Sequence, residues 1–258
     1  MKEKKIIYYE DELRDEFSNA VLDCPTIDEK YVYCQDSHFK RFTHFFWYRI
    51  VAMPIAFIYT KAKFQHKIVG AENLKPYRDF GYFLYGNHTQ DIGDALMPNM
   101  IEKRKDKYII VNPANLSVPF AGRVIKFLGA LPLPSTLLAN KNFLSAIEQR
   151  ISEKCAVVIY PEAHIWPYYT GIRPFSDTSF AYPVKFSSPV FCFTNTYQKR
   201  KCSKNPKIVT YIDGPFFQDP ALSPREARKK LRNQVFEKMR ERASLSNVTI
   251  IEYIKKEQ

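Results

Sequence analysis

Residues 82–94 read YFLYGNHTQDIGD, so that a short apolar run is followed at once by a polar turn with one histidine and two aspartates. Four further apolar or β-branched runs lie at KYIIVN (107–112), CAVVIYPE (155–162), PVFCF (189–193) and KIVTYID (207–213). Helical patterns separate several of these runs. Strands that alternate with helices predict an α/β fold, in which helices flank a twisted, mostly parallel sheet. In such sheets, ligands bind beyond the carboxyl ends of the strands.

The helical patterns lie chiefly at 119–128, 136–152 and 223–244. The third opens with Ser-Pro, a common start of a helix, and apolar residues recur along it at every fourth position. These are Ala227, Leu231, Val235 and Met239. The spacing predicts a long helix with one buried stripe and a basic outer face.

Charge divides the chain into regions. Residues 1–36 contain ten carboxylates against five Lys or Arg, whereas the remaining residues carry a surplus of seventeen positive charges. Within the acidic region, EDELRDEFSNAVL (10–22) has apolar residues at helical spacing, which predicts a short amphipathic helix that packs as a lid. We therefore expect an acidic, helical segment (1–36), a basic-flanked apolar helix (37–68) and an α/β domain (69–258).

The apolar stretch at 45–59 reads FFWYRIVAMPIAFIY, with Arg49 as its single charge and basic residues on both sides. A spanning helix needs about 20 apolar residues, and a central Arg opposes insertion by about 3 kcal/mol. The pattern therefore favours a helix in the membrane interface, with flanking Lys and Arg reaching lipid phosphates. A buried core helix of a soluble enzyme is the alternative.

Composition excludes several classes of protein. Forty-five per cent hydrophobic residues exclude disorder, and five scattered cysteines without a CxxC pair indicate neither a disulfide framework nor a zinc knuckle. The start of the chain shows no secretory signal, so a cytoplasmic protein is expected.

A net charge of +12 suits nucleic acid, an anionic membrane or an acidic small molecule. Basic residues interleaved with Tyr and Phe keep nucleic-acid binding as an alternative function, but no RNP, KH or zinc-finger pattern is present, so no nucleic-acid partner is expected.

Two predicted strand ends carry groups that can do chemistry. After the first strand, His88 is followed by Asp91 and Asp94, and after another come Glu162 and His164. A histidine serves as a general base near neutral pH when a carboxylate holds its other ring nitrogen. The turn therefore predicts His88 as a base with Asp94 or Asp91 as its partner. A metal-dependent hydrolase using His88, both aspartates and His164 is an alternative, although HExxH or a comparable ligand spacing is missing.

These residues resemble the motifs of the lysophospholipid and 1-acylglycerol-3-phosphate acyltransferases, the PlsC-like glycerolipid acyltransferases. GNHTQDIGD (86–94) is similar to their NHxxxxD motif, and YPEAHIW (160–166) is similar to FPEGTRS. Three more blocks follow the family order: VGAENLKP (69–76), LGALPLP (128–134) and AYPVKFSSPVFCF (181–193). The resemblance covers residues 69–193 and implies the glycerol-phosphate acyltransferase-like fold.

The chain also departs from the family motifs. The aspartates stand three and six positions after His88, where the family has one at plus five, and Asp94 is favoured because an apolar helical run follows it directly. Ser135 stands where the family has an Arg, and Ala163-His164-Ile165 replaces Gly-Thr-Arg. Arg173, Lys185 or protonated His164 are candidates to replace the missing arginines. Otherwise, the acceptor carries no phosphate.

The resemblance implies transfer of a fatty acyl group from a thioester to a hydroxyl, with His88 as base and no covalent acyl-enzyme. It further implies that Glu162 binds and orients the acceptor. Asn87, His164 and Arg173 are further candidates for acceptor binding, and backbone N–H groups after Gly86 are candidate donors to the oxyanion. No cofactor and no metal are expected. The donor is acyl-coenzyme A or acyl carrier protein, and the expected partner is a lipid surface, with the enzyme peripheral or monotopic on the inner face of the cell membrane. These expectations define a role in phospholipid biosynthesis.

Overall fold

A seven-stranded sheet forms the centre of the computed structural model, which describes residues 5–17, 23–34, 37–119, 121–201 and 203–256. Its strands in chain order are β2 (Lys67–Val69), β3 (Tyr82–Gly86), β4 (Lys107–Val111), β5 (Ala130–Pro132), β6 (Ala156–Ile159), β7 (Val190–Gln198) and β8 (Lys207–Phe216). The spatial order is β2-β8-β7-β3-β6-β4-β5. A separate sheet pairs β1 (Lys5–Tyr9) with β9 (Ile251–Lys255) in parallel.

Five neighbouring strands, from β7 to β5, run parallel, and β8 turns back antiparallel to β7. The predicted mostly parallel α/β sheet is therefore confirmed. Strands β3 and β6 are buried along their whole length, as their continuous apolar sequences require. Because β3 and β6 are adjacent and parallel, the turns after Gly86 and Ile159 emerge side by side at one edge of the sheet.

Helices cover both faces of the sheet. They are α1 (His38–Phe45), α2 (Met53–Phe64), α3 (Gly93–Leu96), α4 (Pro98–Ile101), α5 (Ala121–Ile125), α6 (Leu137–Ser152), α7 (Ala181–Lys185) and α8 (Pro224–Ala243). On one face, Phe143 and Ile147 of α6 pack with the buried stripe of α8 against β3 and β6. On the other face, the main core is built around Leu74, Leu84 and Ile101.

The three helical patterns predicted from the sequence are present. Thr136 caps α6 and Ser223 forms a capping box at α8, where all four predicted stripe residues are buried. The pattern at 119–128 becomes α5 and a short 3-10 turn at Lys126–Leu128, apart from Phe120, which lies outside the described residues.

The predicted helix at 10–22 is not formed over residues 10–17, which are turns and extended chain that follow β1. Side-chain carboxylates there bind the backbone: Asp15 accepts from the N–H groups of residues 10 and 11, and Asp11 accepts from that of Leu13. Such local bonds compete with the helical ladder. Residues 18–22 lie outside the described part of the chain. The domain limits at residues 36 and 68 stay predictions.

The apolar stretch 45–59 lies within a continuous helical run from His38 to Phe64, in which α1 and α2 flank a π-helical segment at Phe46–Ala52. One side of this run is anchored to the domain, where Tyr48 is buried and its hydroxyl donates to Asn99 at 2.6 Å. The other side exposes large apolar side chains, namely Phe39, Phe42, Phe45, Phe46, Ile50, Ile55, Phe57 and Ile58. We call this set the exposed apolar face. Every helix in the described residues is too short or too polar to cross a lipid bilayer.

Candidate active site

His88 and Asp94 form a direct side-chain pair just beyond the carboxyl end of β3. The Nδ1 atom of His88 lies 2.8 Å from Oδ2 of Asp94. A carboxylate oxygen only accepts, so Nδ1 carries the proton and the neutral ring presents Nε2 as its basic atom. The His88 side chain keeps 17% of its surface exposed, whereas the Asp94 side chain keeps 1%. The geometry is that of a base which is open to substrate and oriented by a buried acid.

The Asp94 carboxylate is held by the turn that carries His88. Its Oδ2 atom accepts from the N–H of Thr89 at 2.8 Å and from the N–H of Gln90 at 2.9 Å, as well as from His88. Its Oδ1 atom is buried without a hydrogen-bond partner among the described residues. Burial raises the pKa of Asp94, and the bonds from His88, Gln90 and Thr89 oppose this shift.

Tyr160, at the end of β6, supports both members of the pair. Its ring stacks on the His88 imidazole with centroids 4.5 Å apart and planes 19° from parallel. Its hydroxyl donates to the backbone carbonyl of Asp94 at 2.5 Å. The ring orientation of His88 is therefore fixed by packing and by the hydrogen bond to Asp94. Sequence reasoning assigned no role to Tyr160, although its place at a strand end beside Glu162 is a usable signal.

The rest of the turn is also bonded on several sides. The backbone carbonyls of His88 and Thr89 accept from the N–H groups of Trp166 and Tyr168, at 3.2 and 2.9 Å. Tyr197 donates its hydroxyl hydrogen toward Thr89 and accepts from Gln90. This network holds the His88 side chain and its turn in one position, and general-base catalysis requires an imidazole that is fixed in this way.

Glu162 lies behind His88, with its side chain fully buried. Its Oε2 atom accepts from the backbone N–H of His88 and its Oε1 atom from the backbone N–H of Arg173, both at 2.8 Å. Burial raises the pKa of Glu162, and the Arg173 guanidinium opposes the shift. The predicted contact of Glu162 with the acceptor stays a prediction. In the structure, the Glu162 carboxylate holds the backbone of His88 in position.

Arg173 is enclosed rather than presented to a ligand. Its side chain is fully buried, 3.8 Å from the Glu162 carboxylate, and its guanidinium lies 4.9 Å from the Trp166 ring centroid. It donates to the backbone carbonyls of His164 and Glu12. The predicted contact of Arg173 with the acceptor stays a prediction, and the structure gives this guanidinium only protein partners among the described residues.

His164 lies at the surface and contacts the segment that follows β1. Its Nδ1 is 3.1 Å from one oxygen of Glu16, and the other oxygen accepts from the N–H of Ile165 at 3.1 Å. Trp166 is buried beneath the same segment, donates to the carbonyl of Asp15 and stacks on Tyr253 of β9. The sheet of β1 and β9 thus covers the loop after β6.

Asn87 and Asp91 stand on either side of the pair. Asn87 is buried and bonded in both directions to the backbone of Asn195 in β7, so it ties the end of β3 to the sheet. Asp91 is exposed and makes no hydrogen bond to His88. Partial burial of the carboxyl raises the pKa of Asp91, and the nearby Glu16 carboxylate adds to the shift.

The backbone donors next to His88 are already engaged. The N–H groups of His88, Thr89 and Gln90 all donate to carboxylates, so they are not free to stabilise an oxyanion.

Two further positions from the motif comparison make other contacts. Ser135, which stands where the family has an Arg, bonds with the backbone of Ile27 in both directions at 2.9 Å. Lys185 ends α7, with its ammonium 5.9 Å from the Phe186 ring centroid.

No group of three or more His, Cys, Asp or Glu side chains within the described ranges is arranged to hold a metal ion. In the turn after β3, one imidazole and one buried carboxylate bond to each other. Its geometry is suited to moving a proton at Nε2 of His88.

Comparison with known proteins agrees with this site. Residues 65–194 match the Acyltransferase family, and this range contains both strand ends described above. The fold is similar to the crystal structure of the 1-acyl-sn-glycerophosphate (LPA) acyltransferase PlsC from Thermotoga maritima, with a TM-score of 0.57 and 17% identity. That similarity covers 81% of this chain and 89% of the other. Among curated proteins, no relative matches the chain.

The mostly parallel α/β sheet carries a His–Asp pair at the end of a central strand. The match to more than half of the chain shows the family, and the protein belongs to the acyltransferase family. It is an O-acyltransferase. The resemblance inferred from the motifs is confirmed.

Proposed function

We propose that this enzyme moves a fatty acyl group from a thioester, either acyl-coenzyme A or acyl carrier protein, to a hydroxyl of a lysophospholipid or a related lipid. The observation that carries the proposal is the 2.8 Å contact between His88 and Asp94, which leaves Nε2 as the base beside an exposed edge of the site. The family supplies acyl transfer as the class of reaction.

The proposed mechanism needs no covalent acyl-enzyme. Nε2 of His88 accepts the proton of the acceptor hydroxyl while that oxygen attacks the thioester carbonyl. The buried negative charge of Asp94 stabilises the imidazolium that forms. When the tetrahedral intermediate collapses, the carbon–sulfur bond breaks and the thiolate takes the proton from His88. General-base help of this kind is typically worth about 10²- to 10⁴-fold in rate.

The direct test is incubation of the purified protein with a labelled acyl thioester and a panel of lysolipids, followed by lipid extraction. Label is expected in the lipid product with the wild-type enzyme and not with His88→Ala. Equal labelling by both proteins would overturn the role of His88. A circular dichroism melt of the variant controls for unfolding.

The residues around the His88–Asp94 pair also bear on whether the enzyme needs a phosphate on its acceptor. Because Arg173 is enclosed and Ser135 bonds to Ile27, neither provides an arginine-type clamp for a phosphate. Glu16 adds negative charge at His164. We therefore expect removal of the acceptor phosphate to change the rate by less than about tenfold, since neither of these two positions supplies a charge-assisted pair of about 1.5 to 3 kcal/mol. Lysophosphatidate and monoacylglycerol with the same acyl chain form the matched comparison, and a loss above a hundredfold with monoacylglycerol would contradict this expectation.

We further propose that the enzyme works at the inner face of the cell membrane, held there by the exposed apolar face. Large apolar side chains of that face, such as Phe42 and Ile58, are more than 60% exposed. Burying one such side chain in lipid is worth about 1.5 to 3 kcal/mol. Basic side chains on the same helical run, such as Lys61, lie where they can meet anionic head groups.

Sedimentation with anionic vesicles at low salt tests this location. Wild type is expected to pellet, and the double variant Phe42→Asp/Ile58→Asp is expected to stay in solution. Phe80, which is also exposed but does not belong to this set, supplies the control variant Phe80→Asp. Retention of the double variant on vesicles, or equal loss of the control, would refute the proposal.

A further inference from the structure

A cavity of about 660 Å³ lies at the opposite edge of the sheet from His88. Its lining includes Asp106, which directly precedes β4, and Cys155, which directly precedes β6. His88 follows the carboxyl end of β3, and these three strands are parallel. The cavity therefore belongs to the amino ends of the strands and is separate from the catalytic pair. Its size falls in the range of small-molecule sites, about 300 to 1,000 Å³.

The charges that line this cavity are unbalanced. Of its four Lys and Arg residues, Arg49 pairs with Asp106, and Arg150 pairs with Glu153 at 2.5 Å. The other two, Arg41 and Lys126, have no carboxylate partner among the residues that the structure describes. Both are exposed, so they remain at the mouth of the cavity. The surplus of two positive charges favours an anionic ligand.

Aromatic rings form part of the cavity lining. The His44 ring is stacked on Tyr48 at 5.2 Å and on Tyr108 at 5.8 Å between centroids. The Arg150 guanidinium lies 4.5 Å from the centroid of Tyr108, and the Lys126 ammonium lies 5.7 Å from that of Tyr31. Cations held over ring faces next to open space form a surface on which a flat or apolar body can pack.

Two buried nitrogen atoms of lining residues lack hydrogen bonds. Nε of Arg150 has no partner among the described residues. Nε2 of His44 likewise makes no hydrogen bond, and the nearest carboxylate oxygen, on Asp106, is 3.7 Å away. Unsatisfied buried polar atoms cost free energy, so a ligand that supplies partners for them would gain by binding here.

We infer that this cavity binds an organic phosphate whose apolar or planar body packs on the aromatic lining and whose phosphate meets Arg41 and Lys126. Arginine presents a donor fork suited to phosphate oxygens, and lysine adds a mobile point charge. Two sources share this chemistry. One is a soluble nucleotide, and the other is the head group of an anionic phospholipid, which can approach because Phe45 of the exposed apolar face also lines the cavity.

Isothermal titration calorimetry at low salt tests the inference with three probes: adenosine 5′-monophosphate, short-chain dihexanoyl phosphatidate and inorganic phosphate. Saturable binding of at least one organic probe is expected, with Kd at least tenfold weaker in Lys126→Glu. Lys229 is an exposed lysine of α8 that does not line the cavity, so Lys229→Glu makes the same change of charge and is expected to bind within twofold of wild type. Arg41→Glu is a second cavity variant, expected to weaken binding as Lys126→Glu does.

Binding of the nucleotide alone would assign a soluble source, and binding of phosphatidate alone a lipid source, and either supports the site. Absence of saturable binding for all probes would overturn it. Equal weakening in Lys126→Glu and Lys229→Glu would also overturn it, because only net charge would then be involved. Inorganic phosphate that binds as tightly as both organic probes would refute the role of the aromatic lining. The readout is independent of acyl transfer, so its failure leaves the proposed function untouched.

Discussion

Replacing Asp94 by Asn is the sharpest perturbation of the proposed mechanism. The carboxylate oxygen that faces His88 accepts three hydrogen bonds, from His88 and from two backbone N–H groups, all within 2.9 Å. Asn can offer its carbonyl oxygen to the same three donors while its amide takes the place of Oδ1, which has no partner. The substitution therefore keeps the shape and removes the negative charge.

The magnitude follows from what the charge contributes. Hydrogen bonds to a charged group are worth about 1.5 to 3 kcal/mol, against about 0.5 to 1.5 kcal/mol for neutral ones. The weaker hydrogen bonds of Asn lower the free energy of unfolding only in part, because the buried carboxylate no longer has to be desolvated on folding. In the transition state, by contrast, the imidazolium loses its negative partner and nothing replaces it. We expect kcat to fall by about 10²- to 10⁴-fold, which corresponds to about 3 to 5 kcal/mol.

Asp91→Asn is the matched control, since it makes the same chemical change three residues away without a hydrogen bond to His88. We expect its kcat to stay within about fivefold of wild type, a barrier change of about 1 kcal/mol. The assay measures initial rates of acyl transfer from labelled thioester at saturating acceptor, with thermal melts of both variants. Equal or reversed damage from the two substitutions would refute the pairing of His88 with Asp94 as the catalytic unit.

Three further predictions test the support around the site and the core. Tyr160→Phe removes the donor to the Asp94 carbonyl but keeps the ring stack, so kcat should fall about threefold to tenfold with KM unchanged; an unchanged kcat would show that the hydroxyl is dispensable. Glu162→Ala leaves a buried guanidinium unpaired and should lower the free energy of unfolding by about 3 to 5 kcal/mol in urea titrations; a loss below about 1 kcal/mol would contradict the positioning role. Burial lowers the pKa of His66 to about 4 in the folded protein, whereas the unfolded chain keeps the usual value near 6.5. As pH falls, the unfolded chain therefore binds a proton at His66 before the folded protein does, which favours unfolding. The free energy of unfolding should drop by about 3 kcal/mol between pH 6.5 and 4. His66→Gln should show a smaller drop, and parallel pH curves for the two proteins would exclude this cause.

The central sheet was predictable because its strands are buried on both faces. Runs such as Phe83–Tyr85 and 156–159 are apolar without interruption, and burial of that kind leaves a signal in the sequence itself. Strands β1 and β9 left no such signal. Apart from the buried Ile251, their side chains are exposed or half-buried, and each strand pairs with a segment far away in the sequence.

At the site, sequence reasoning named the residues but not all the hydrogen bonds and ion pairs between them. The spacing left two aspartates open because the start of the helix was unknown, and the structure shows that α3 begins at Gly93, after His88. The sequence also did not show that Glu162 and Arg173 lie next to each other and that Glu162 holds the backbone N–H of Arg173. Whether a charged side chain at a strand end points outward depends on the loop packed over it, and here that loop comes from residues 5–17.

The pairing of β1 with β9 joins two segments that are far apart in the sequence, since Lys5 lies opposite Ile251. Contacts between such distant segments form late in folding because loop closure opposes them. Until the two strands pair, Trp166 lacks its stacking partner Tyr253, and the segment that covers His164 has no strand to hold it. We therefore expect the loop after β6 to reach its final packing late in folding, after the central sheet has formed.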